Sequence, residues 1–265
     1  MLKPHNRDGF WNQTIVGKVP QVTISFWIIK LLTTGMGETT SDFLARQFDP
    51  PLIVATMGAL VAAALIVQLN AARLRPWLYW LVVILVSIFG TMVADVIHVA
   101  AGVPYFVSTM AFALAVLAIF VAWYRREGTL DITSIDNRRR ELFYWALVVV
   151  TFALGTAIGD LVASSFRLGF LASALLFSGA IIVPGALYWR SGGTAVAPFW
   201  CAYVLTRPVG ASFADWMGVG PERGGLGWGT GPVSLALGGV IVVVALAVWL
   251  TRRRASSSVT FDIGQ

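Results

Sequence analysis

The sequence predicts an all-α membrane protein whose eight transmembrane helices form four parallel helical-hairpin repeats. Hydrophobic residues make up 57% of the chain and charged residues only 12%, about half the charged share of an ordinary globular domain. One motif, here called the repeated phrase, occurs four times: an aromatic residue, then Trp, with Gly ten and Asp fifteen residues after the Trp. Each copy lies in an apolar segment long enough to cross a bilayer. The composition, the long apolar segments and the fourfold phrase together predict this fold class.

Eight apolar segments of about 20 residues follow one another along the chain. They are residues 20–44, 51–69, 77–100, 104–124, 142–166, 168–189, 196–217 and 232–250. Taken two at a time, they define a membrane domain over residues 18–250, with repeats at 18–70, 75–124, 140–190 and 196–250. Residues 1–17 are expected to form a polar cytoplasmic segment without the apolar core of a cleaved signal peptide. Residues 251–265 are expected to form a cytoplasmic tail that is disordered after Arg254.

Basic residues predict the orientation of these spans. Fourteen Lys and Arg residues flank the membrane domain or lie on connections after even-numbered spans, whereas Arg46, Arg167 and Arg223 lie on the other side. Cytoplasmic loops carry such an excess, so both termini are expected in the cytoplasm. The net charge of +6 comes from these flanks, which meet anionic lipid headgroups. It implies a lipid bilayer as partner and no nucleic acid.

The repeated phrase predicts how the four units relate to one another. Its members are Trp27, Trp80, Trp145 and Trp200, then Gly37, Gly90, Gly155 and Gly210, then Asp42, Asp95, Asp160 and Asp215. Because each unit contains two spans, every copy enters the membrane in the same direction, and the units are related by rotation about an axis near the membrane normal. At 1.5 Å per helical residue, each Asp lies about 22 Å beyond its Trp, towards the outer leaflet.

One face of the odd-numbered helices carries polar residues. Positions 7, 11, 15 and 18 after the Trp share a face at 100° per residue. They read Thr34, Glu38, Asp42 and Ala45; Ser87, Thr91, Asp95 and His98; Phe152, Thr156, Asp160 and Ala163; and Arg207, Ala211, Asp215 and Gly218. Lipid does not accommodate such a stripe, so it is expected to face the bundle interior or a wet cavity. The recurring Gly lies off this face and is expected to let a neighbouring helix approach.

The first repeat resembles the signature of a bacterial integral-membrane family. The matching residues are Lys18-Val-Pro-Gln-Val-Thr23, Phe26-Trp27, Lys30, Thr33-Thr34-Gly35, Gly37-Glu38 and Asp42. That family is built from four tandem copies of a repeat of unknown function, each with two transmembrane regions and a recurring Trp. The resemblance extends over about residues 18–250, although copies two to four lack equivalents of Lys30 and Glu38. It implies the architecture and a location in a bacterial inner membrane, and no particular activity.

Five acids and two bases lie at membrane depth: Glu38, Asp42, Asp95, Asp160 and Asp215, with Lys30 and Arg207. An ionised group at the bilayer centre costs roughly 2.5 to 3.5 kcal/mol on insertion scales. One interpretation is internal neutralisation, in which Lys30 and Arg207 face the interior and each pair with an acid. Lys30 has the alternative of extending to the cytoplasmic interface. The other interpretation is a cation or proton site, because the acids outnumber the bases and each Asp approaches a helix C-terminus, where the dipole disfavours an anion.

The spacing of the acids and of His98 suggests metal ligands. Glu38 and Asp42 are four residues apart on one helix face, and Asp95 and His98 are three apart. Oxygen ligands alone favour Mg²⁺, Ca²⁺ or Mn²⁺, whereas an imidazole shifts the preference towards Mn²⁺ or Zn²⁺. The candidate metal set is therefore Glu38, Asp42, Asp95 and His98. The alternative for His98 is a hydrogen-bonded interior histidine.

The aromatic residues and prolines carry two further hypotheses. The four repeated Trp residues are expected to act as packing and interface anchors, and the alternative is an aromatic box for an organic cation. Pro208 follows Arg207 in the seventh span and is expected to kink or break that helix, since proline removes a backbone donor. A broken helix at membrane depth exposes carbonyl groups to ligands.

These observations favour a transporter or channel for a small inorganic cation, either a divalent metal such as Mn²⁺ or Mg²⁺, or protons. The cluster of intramembrane carboxylates is the candidate binding site. Two alternatives stay open: a membrane sensory or binding module whose charges are structural, and an intramembrane metal-dependent enzyme. The sequence has no phosphate-cradling glycine loop, nucleophile elbow or ATP site, so transport would be passive or driven by an ion gradient.

Overall fold

The computed structural model describes residues 17–262, with side chains up to residue 251. It contains eight α-helices in this range: α1 Ile24–Gln47, α2 Pro50–Asn70, α3 Pro76–Asp95, α4 Tyr105–Glu127, α5 Arg138–Asp160, α6 Phe170–Arg190, α7 Val196–Gly218 and α8 Thr230–Asp262. No strand occurs among these residues. The predicted all-α class with eight long helices is confirmed. Lys3 and Arg7 lie outside the described residues, and so do the side chains of Arg252, Arg253 and Arg254.

Six of the helices are long and apolar enough to cross a membrane: α2, α3 with its extension to Ala100, α4, α5 with its extension to Ser165, α6, and residues 230–251 of α8. The chain is a multi-pass membrane protein. Helices α1 and α7 have comparable lengths, 24 and 23 residues. They are less apolar because they carry Lys30, Glu38, Arg207 and Asp215, which are all buried.

Local signals fix where several helices begin. The side chain of Thr23 accepts a hydrogen bond from the backbone of Phe26 at the start of α1, and Asn137 does the same for Arg140 at the start of α5. Each such cap satisfies one of the amide groups that have no partner inside the helix. Helix α4 is capped at its C-terminus by Gly128, which adopts the left-handed conformation that glycine reaches without steric cost.

The interior of one helix and the end of another differ from the sequence prediction. Helix α7 continues through Pro208, so the break that was one of the two expected outcomes does not occur, whereas the kink stays a prediction. Pro208 is buried where α7 packs closely against the neighbouring helices. This packing stabilises the helix by more than the loss of one backbone hydrogen bond destabilises it. Helix α8 continues to Asp262, past the predicted span end at residue 250 and past Arg254, after which a disordered tail was expected.

The odd-numbered helices form a closed ring, and the even-numbered helices surround it. Around the ring, α1 packs on α3, α3 on α5, α5 on α7, and α7 back on α1. Each outer helix packs mainly on the ring helix of the next repeat: α2 on α3, α4 on α5, α6 on α7, and α8 on α1. The outer helices expose most of their apolar residues, as helices that face lipid do. Consecutive repeats are therefore interlocked, and α8 completes the circle.

The recurring glycines are the contact points of this ring. A methyl group added to any of them would overlap the residue seven positions after the Trp of the next ring helix: Ser87 for Gly37, Phe152 for Gly90, Arg207 for Gly155 and Thr34 for Gly210. Glycine is required because the neighbouring side chain occupies the space of its missing Cβ. The same contact repeated around the ring shows the pseudo-fourfold relation that the sequence predicted.

This symmetry stacks equivalent residues in layers along the ring axis. Starting from the Trp end, the layers are Phe26, Tyr79, Tyr144 and Phe199; then Lys30, Val83, Val148 and Tyr203; then Thr34, Ser87, Phe152 and Arg207; then Glu38, Thr91, Thr156 and Ala211. All sixteen side chains are buried. The fifth layer consists of the four repeat aspartates, of which three are half-buried. The ring is thus packed along most of its length and opens at the aspartate end.

Candidate functional site

A cavity of about 420 Å³ lies at the aspartate end of the ring. Its lining contains all four repeat aspartates together with Glu38. The rest of the lining comes from helix ends and connections at that end of the bundle, including Pro50, Tyr105 and Phe170. The basic residues in the lining are Arg46 and Arg223, so five carboxyl groups face two guanidinium groups. The ring symmetry therefore gathers the predicted acids around one space, at the end away from the connections that carry most basic residues.

The aspartates differ in their partners. Asp42 lies 3.6 Å from Arg46, one helical turn later on α1, at an exposed position. Asp160 lies 4.0 Å from the imidazole of His98. Arg223 lies on the short helical turn Pro221–Arg223 between α7 and α8, with its guanidinium 5.7 Å from the ring centre of Phe170.

Below the cavity, Arg207 forms a buried ion pair with Glu38. The guanidinium Nη2 lies 2.7 Å from Glu38 Oε2, and the side chains are 1% and 5% exposed. The same guanidinium donates to the carbonyl oxygens of Thr34 at 2.6 Å and Phe152 at 3.3 Å. It also donates to the hydroxyl groups of Thr156, at 2.8 Å, and Thr91. The expectation that Arg207 faces the interior and meets an acid agrees with this geometry.

These contacts connect all four repeats through one residue. Arg207 belongs to the fourth repeat, Glu38 to the first, Thr91 to the second and Thr156 to the third. Both threonine hydroxyls lie 3.2 Å from Glu38 Oε2. A charge buried in this way is tolerated when its hydrogen-bonding capacity is satisfied. Glu38 is thus fixed by Arg207 at the floor of the cavity.

Lys30 pairs with no acid among the described residues, and the prediction that it would is wrong. Its side chain is 1% exposed, and the ammonium lies 4.1 Å from the ring centres of both Phe152 and Tyr203. Extension to the interface is also ruled out by this burial. The aromatic faces replace a carboxylate as its electrostatic partner. The sequence could not distinguish these outcomes, because the aromatic partners come from repeats three and four.

Three tyrosines close the axis beyond Lys30. The hydroxyl groups of Tyr79 and Tyr144 are 2.5 Å apart, and those of Tyr144 and Tyr203 are 3.4 Å apart. All three side chains are buried. Sequence reasoning did not assign them a role, although Tyr79 and Tyr144 occupy the aromatic position before the repeated Trp. Polar side chains of the four ring helices thus extend along the axis from the acid cavity, past Arg207, to these hydroxyl groups.

Replacing Lys30 with methionine is expected to raise the stability of the protein. The ammonium is desolvated without a carboxylate, and an apolar side chain of similar length removes that cost while filling the same space. The apparent melting temperature of purified protein in detergent should therefore increase in Lys30→Met. The matched control is Lys18→Met, which removes an ion pair of 2.6 Å to the buried Glu141 and should lower the melting temperature. A melting temperature for Lys30→Met below that of the unmodified protein would contradict this account.

The repeated Trp residues act as packing anchors within the described structure. Trp27 lies 5.6 Å from the ring of Phe199, and Trp80 lies 5.5 Å from that of Phe26. Trp200 also donates a hydrogen bond of 2.8 Å to the carbonyl of Leu130. Their ring contacts with other repeats are to Phe and Tyr and, for Trp200, also to Trp123 at 5.7 Å. No two of the four repeated indoles are in ring contact within the described residues, so this part of the chain gives no support to a box of four indoles.

The structure brings together a metal-ligand set that differs from the predicted one. Ligand atoms of Asp95, His98 and Asp160 lie within 4.8 Å of one another. Asp160 replaces Glu38 and Asp42, which were expected alongside Asp95 and His98. Glu38 is held by Arg207 in the layer below, and Asp42 lies beside Arg46. The sequence paired residues on a single helix, whereas the ring brings α3 and α5 together.

Fold and site together define a class: a membrane protein of four tandem two-helix repeats with a shared acidic cavity. A family model described as a repeat of unknown function (DUF347) matches residues 25–73, 78–129, 143–194 and 198–254. The chain belongs to this family, and the resemblance seen in the first repeat is confirmed. No curated protein and no solved structure matches the chain.

Proposed function

We propose that this protein moves a small inorganic cation, a divalent metal ion or protons, across the membrane through the carboxylate cavity. The observation that carries the proposal is the convergence of Glu38 and all four repeat aspartates on one cavity. Carboxylates held together repel one another unless a cation or proton is bound between them. Intramembrane acids that face a cavity commonly mark ion or proton pathways.

The layer below the cavity supplies a closed gate for such a pathway. The pair between Arg207 and Glu38 crosses the ring axis, and Lys30 and the tyrosines follow it. A positive guanidinium repels a cation that enters from the cavity. Because Glu38 both lines the cavity and accepts from Arg207, a bound cation competes with the guanidinium for the same carboxylate. Loading of the cavity is thereby coupled to release of Arg207.

Flux measurements in proteoliposomes test this function. Purified protein reconstituted into vesicles is expected to accelerate entry of protons or of Mn²⁺, Mg²⁺ or Zn²⁺, measured with trapped indicator dyes. The double variant Asp42→Asn/Asp215→Asn removes two cavity charges and keeps the side-chain shape, so flux should fall at least tenfold. The matched control is Glu222→Gln, which removes one exposed carboxylate that does not line the cavity, and it should transport like the unmodified protein.

Two results would count against transport. One is vesicles containing the protein that admit none of these ions faster than protein-free vesicles. The other is a double variant that is folded and transports at the unmodified rate. Ion binding without flux would instead favour the sensory or binding module.

A further inference from the structure

The segment after the repeat aspartate is wound differently in the two middle ring helices. Helix α3 continues as a π-helical turn over Val96–Ala100, and α5 does so over Leu161–Ser165. Helix α1 has no such turn after Asp42, and α7 has none after Asp215. π-Helical turns occur frequently at functional sites because they redirect side chains. Here the turn of α3 carries His98, which faces Asp160 of α5.

The two ring nitrogens of His98 have different surroundings. Nε2 lies 2.5 Å from Ser108 Oγ, and that hydroxyl donates its own hydrogen to the carbonyl of Tyr105 at 3.0 Å. In the tautomer in which Ser108 accepts from His98, Nε2 bears the hydrogen and Nδ1 of the neutral ring presents a lone pair to the aspartates. Nδ1 is buried and has no hydrogen-bond partner among the described residues. The side chain is 2% exposed, so bulk water does not compensate for this.

The unpartnered nitrogen points to a missing positive group. His98 Nδ1 lies 4.0 Å from Asp160 Oδ2, and Asp95 contributes a carboxylate within 4.8 Å of both. A lone pair beside two carboxylates is unfavourable unless a cation lies between them. Ligands bound at about 2.1 Å to one ion are separated by at most about 4.2 Å. Small side-chain rotations therefore close this set around an ion.

We propose that Asp95, His98 and Asp160 bind a divalent transition-metal ion of the Mn²⁺ or Zn²⁺ class. This inference deepens the proposed function, since it names the cation for which the acidic cavity is built. One imidazole and two carboxylates suit such ions better than Mg²⁺ or Ca²⁺, which prefer oxygen ligands alone. The hydrogen bond from His98 to Ser108 is the outer-shell contact that commonly orients a metal-binding histidine. Repeats one, three and four have Ala45, Ala163 and Gly218 at this position, so the site belongs to one side of the ring.

Metal binding by the purified full-length protein tests the site directly. Chelator-treated protein in detergent is titrated with Mn²⁺, and binding is followed by electron paramagnetic resonance. One tightly bound ion is expected, with a nitrogen coupling from the imidazole and with no displacement by a hundredfold excess of Mg²⁺. His98→Ala should weaken Mn²⁺ binding at least tenfold and remove the nitrogen coupling. Ser108→Ala, which leaves every ligand in place, should weaken binding by about tenfold.

Glu222→Gln serves as the matched control and should bind like the unmodified protein. Unfolding curves recorded without metal verify that each variant is folded. The proposal is overturned if His98→Ala binds Mn²⁺ as tightly as the unmodified protein, or if the bound ion shows no nitrogen coupling. The metal site and the transport function can be tested independently. Binding without flux retains the metal site and rejects transport, whereas proton flux without metal binding does the reverse.

Discussion

Replacing Arg207 with glutamine is expected to lower the free energy of unfolding by about 3 to 5 kcal/mol. The change removes the guanidinium that neutralises Glu38, which is 4% exposed, and leaves a buried carboxylate with hydroxyl donors only. Breaking one side of a buried ion pair costs more than the pair itself contributes, because the remaining charge stays desolvated. Thermal unfolding of Arg207→Gln in detergent, followed by tryptophan fluorescence, should show a decrease of about 10 °C in the apparent melting temperature.

The double variant Glu38→Gln/Arg207→Gln separates charge from packing. With both charges removed, most of the lost stability should return, because two amides can hydrogen-bond with Thr91 and Thr156. Arg46→Gln is the control for a surface pair: its side chain is 59% exposed and 3.6 Å from Asp42, so the effect should stay within about 1 kcal/mol. A double variant as unstable as Arg207→Gln alone would show that the ion pair is not the source of the loss.

Replacing Gly210 with alanine is expected to destabilise the ring by about 1 to 3 kcal/mol. The added Cβ would lie 2.9 Å from the carbonyl oxygen of Leu31 and would overlap the side chain of Thr34. Because the obstacle includes backbone, a rotamer change alone does not relieve it. Helix α7 must then move away from α1, and the interlock of the fourth repeat with the first is lost. Thermal unfolding in detergent measures the effect.

Gly179→Ala provides the matched control for this substitution. Gly179 lies in the outer helix α6, is exposed, and has no atom within 4 Å of a Cβ built on it. Alanine is the better helix former by about 1 kcal/mol, so this variant should be as stable as the unmodified protein or slightly more stable. Equal effects of the two substitutions would mean that the ring glycines do not owe their position to close packing.

The fold was largely predictable because a membrane imposes simple rules on a chain. Apolar segments of sufficient length gave the helices, and equal spacing of Trp, Gly and Asp gave the rotational relation of the repeats. What escaped prediction is which helix packs on which. Helix α2 contacts α3 more than α1, and α8 closes on α1. Such pairing depends on surfaces from separate repeats, and hydropathy along one helix does not report it.

The site was predictable in its parts and less so in its pairings. The polar stripe correctly placed Thr34, Glu38, Thr91 and Arg207 towards the ring interior. Lys30 was expected to meet a carboxylate and instead lies against Phe152 and Tyr203. Aromatic faces are effective partners for an ammonium only at the right depth, and depth across repeats depends on the register of neighbouring helices. For the same reason the sequence paired His98 with Asp95 of its own helix and placed Asp160 only in the wider cluster of carboxylates.

The glycine contacts also limit the motions that the ring can make. Each ring helix carries a side chain that occupies the space beside a glycine of its neighbour, and the four contacts form a closed circle. A helix that slid along the axis would drive a side chain into the adjoining backbone, and its neighbours would have to follow. Piston-like displacement of one helix is therefore mechanically blocked. A path along the axis must therefore open by rotation of side chains such as Arg207, or by concerted tilting of all four ring helices. In the second case the outer helices would have to move to accommodate the tilt.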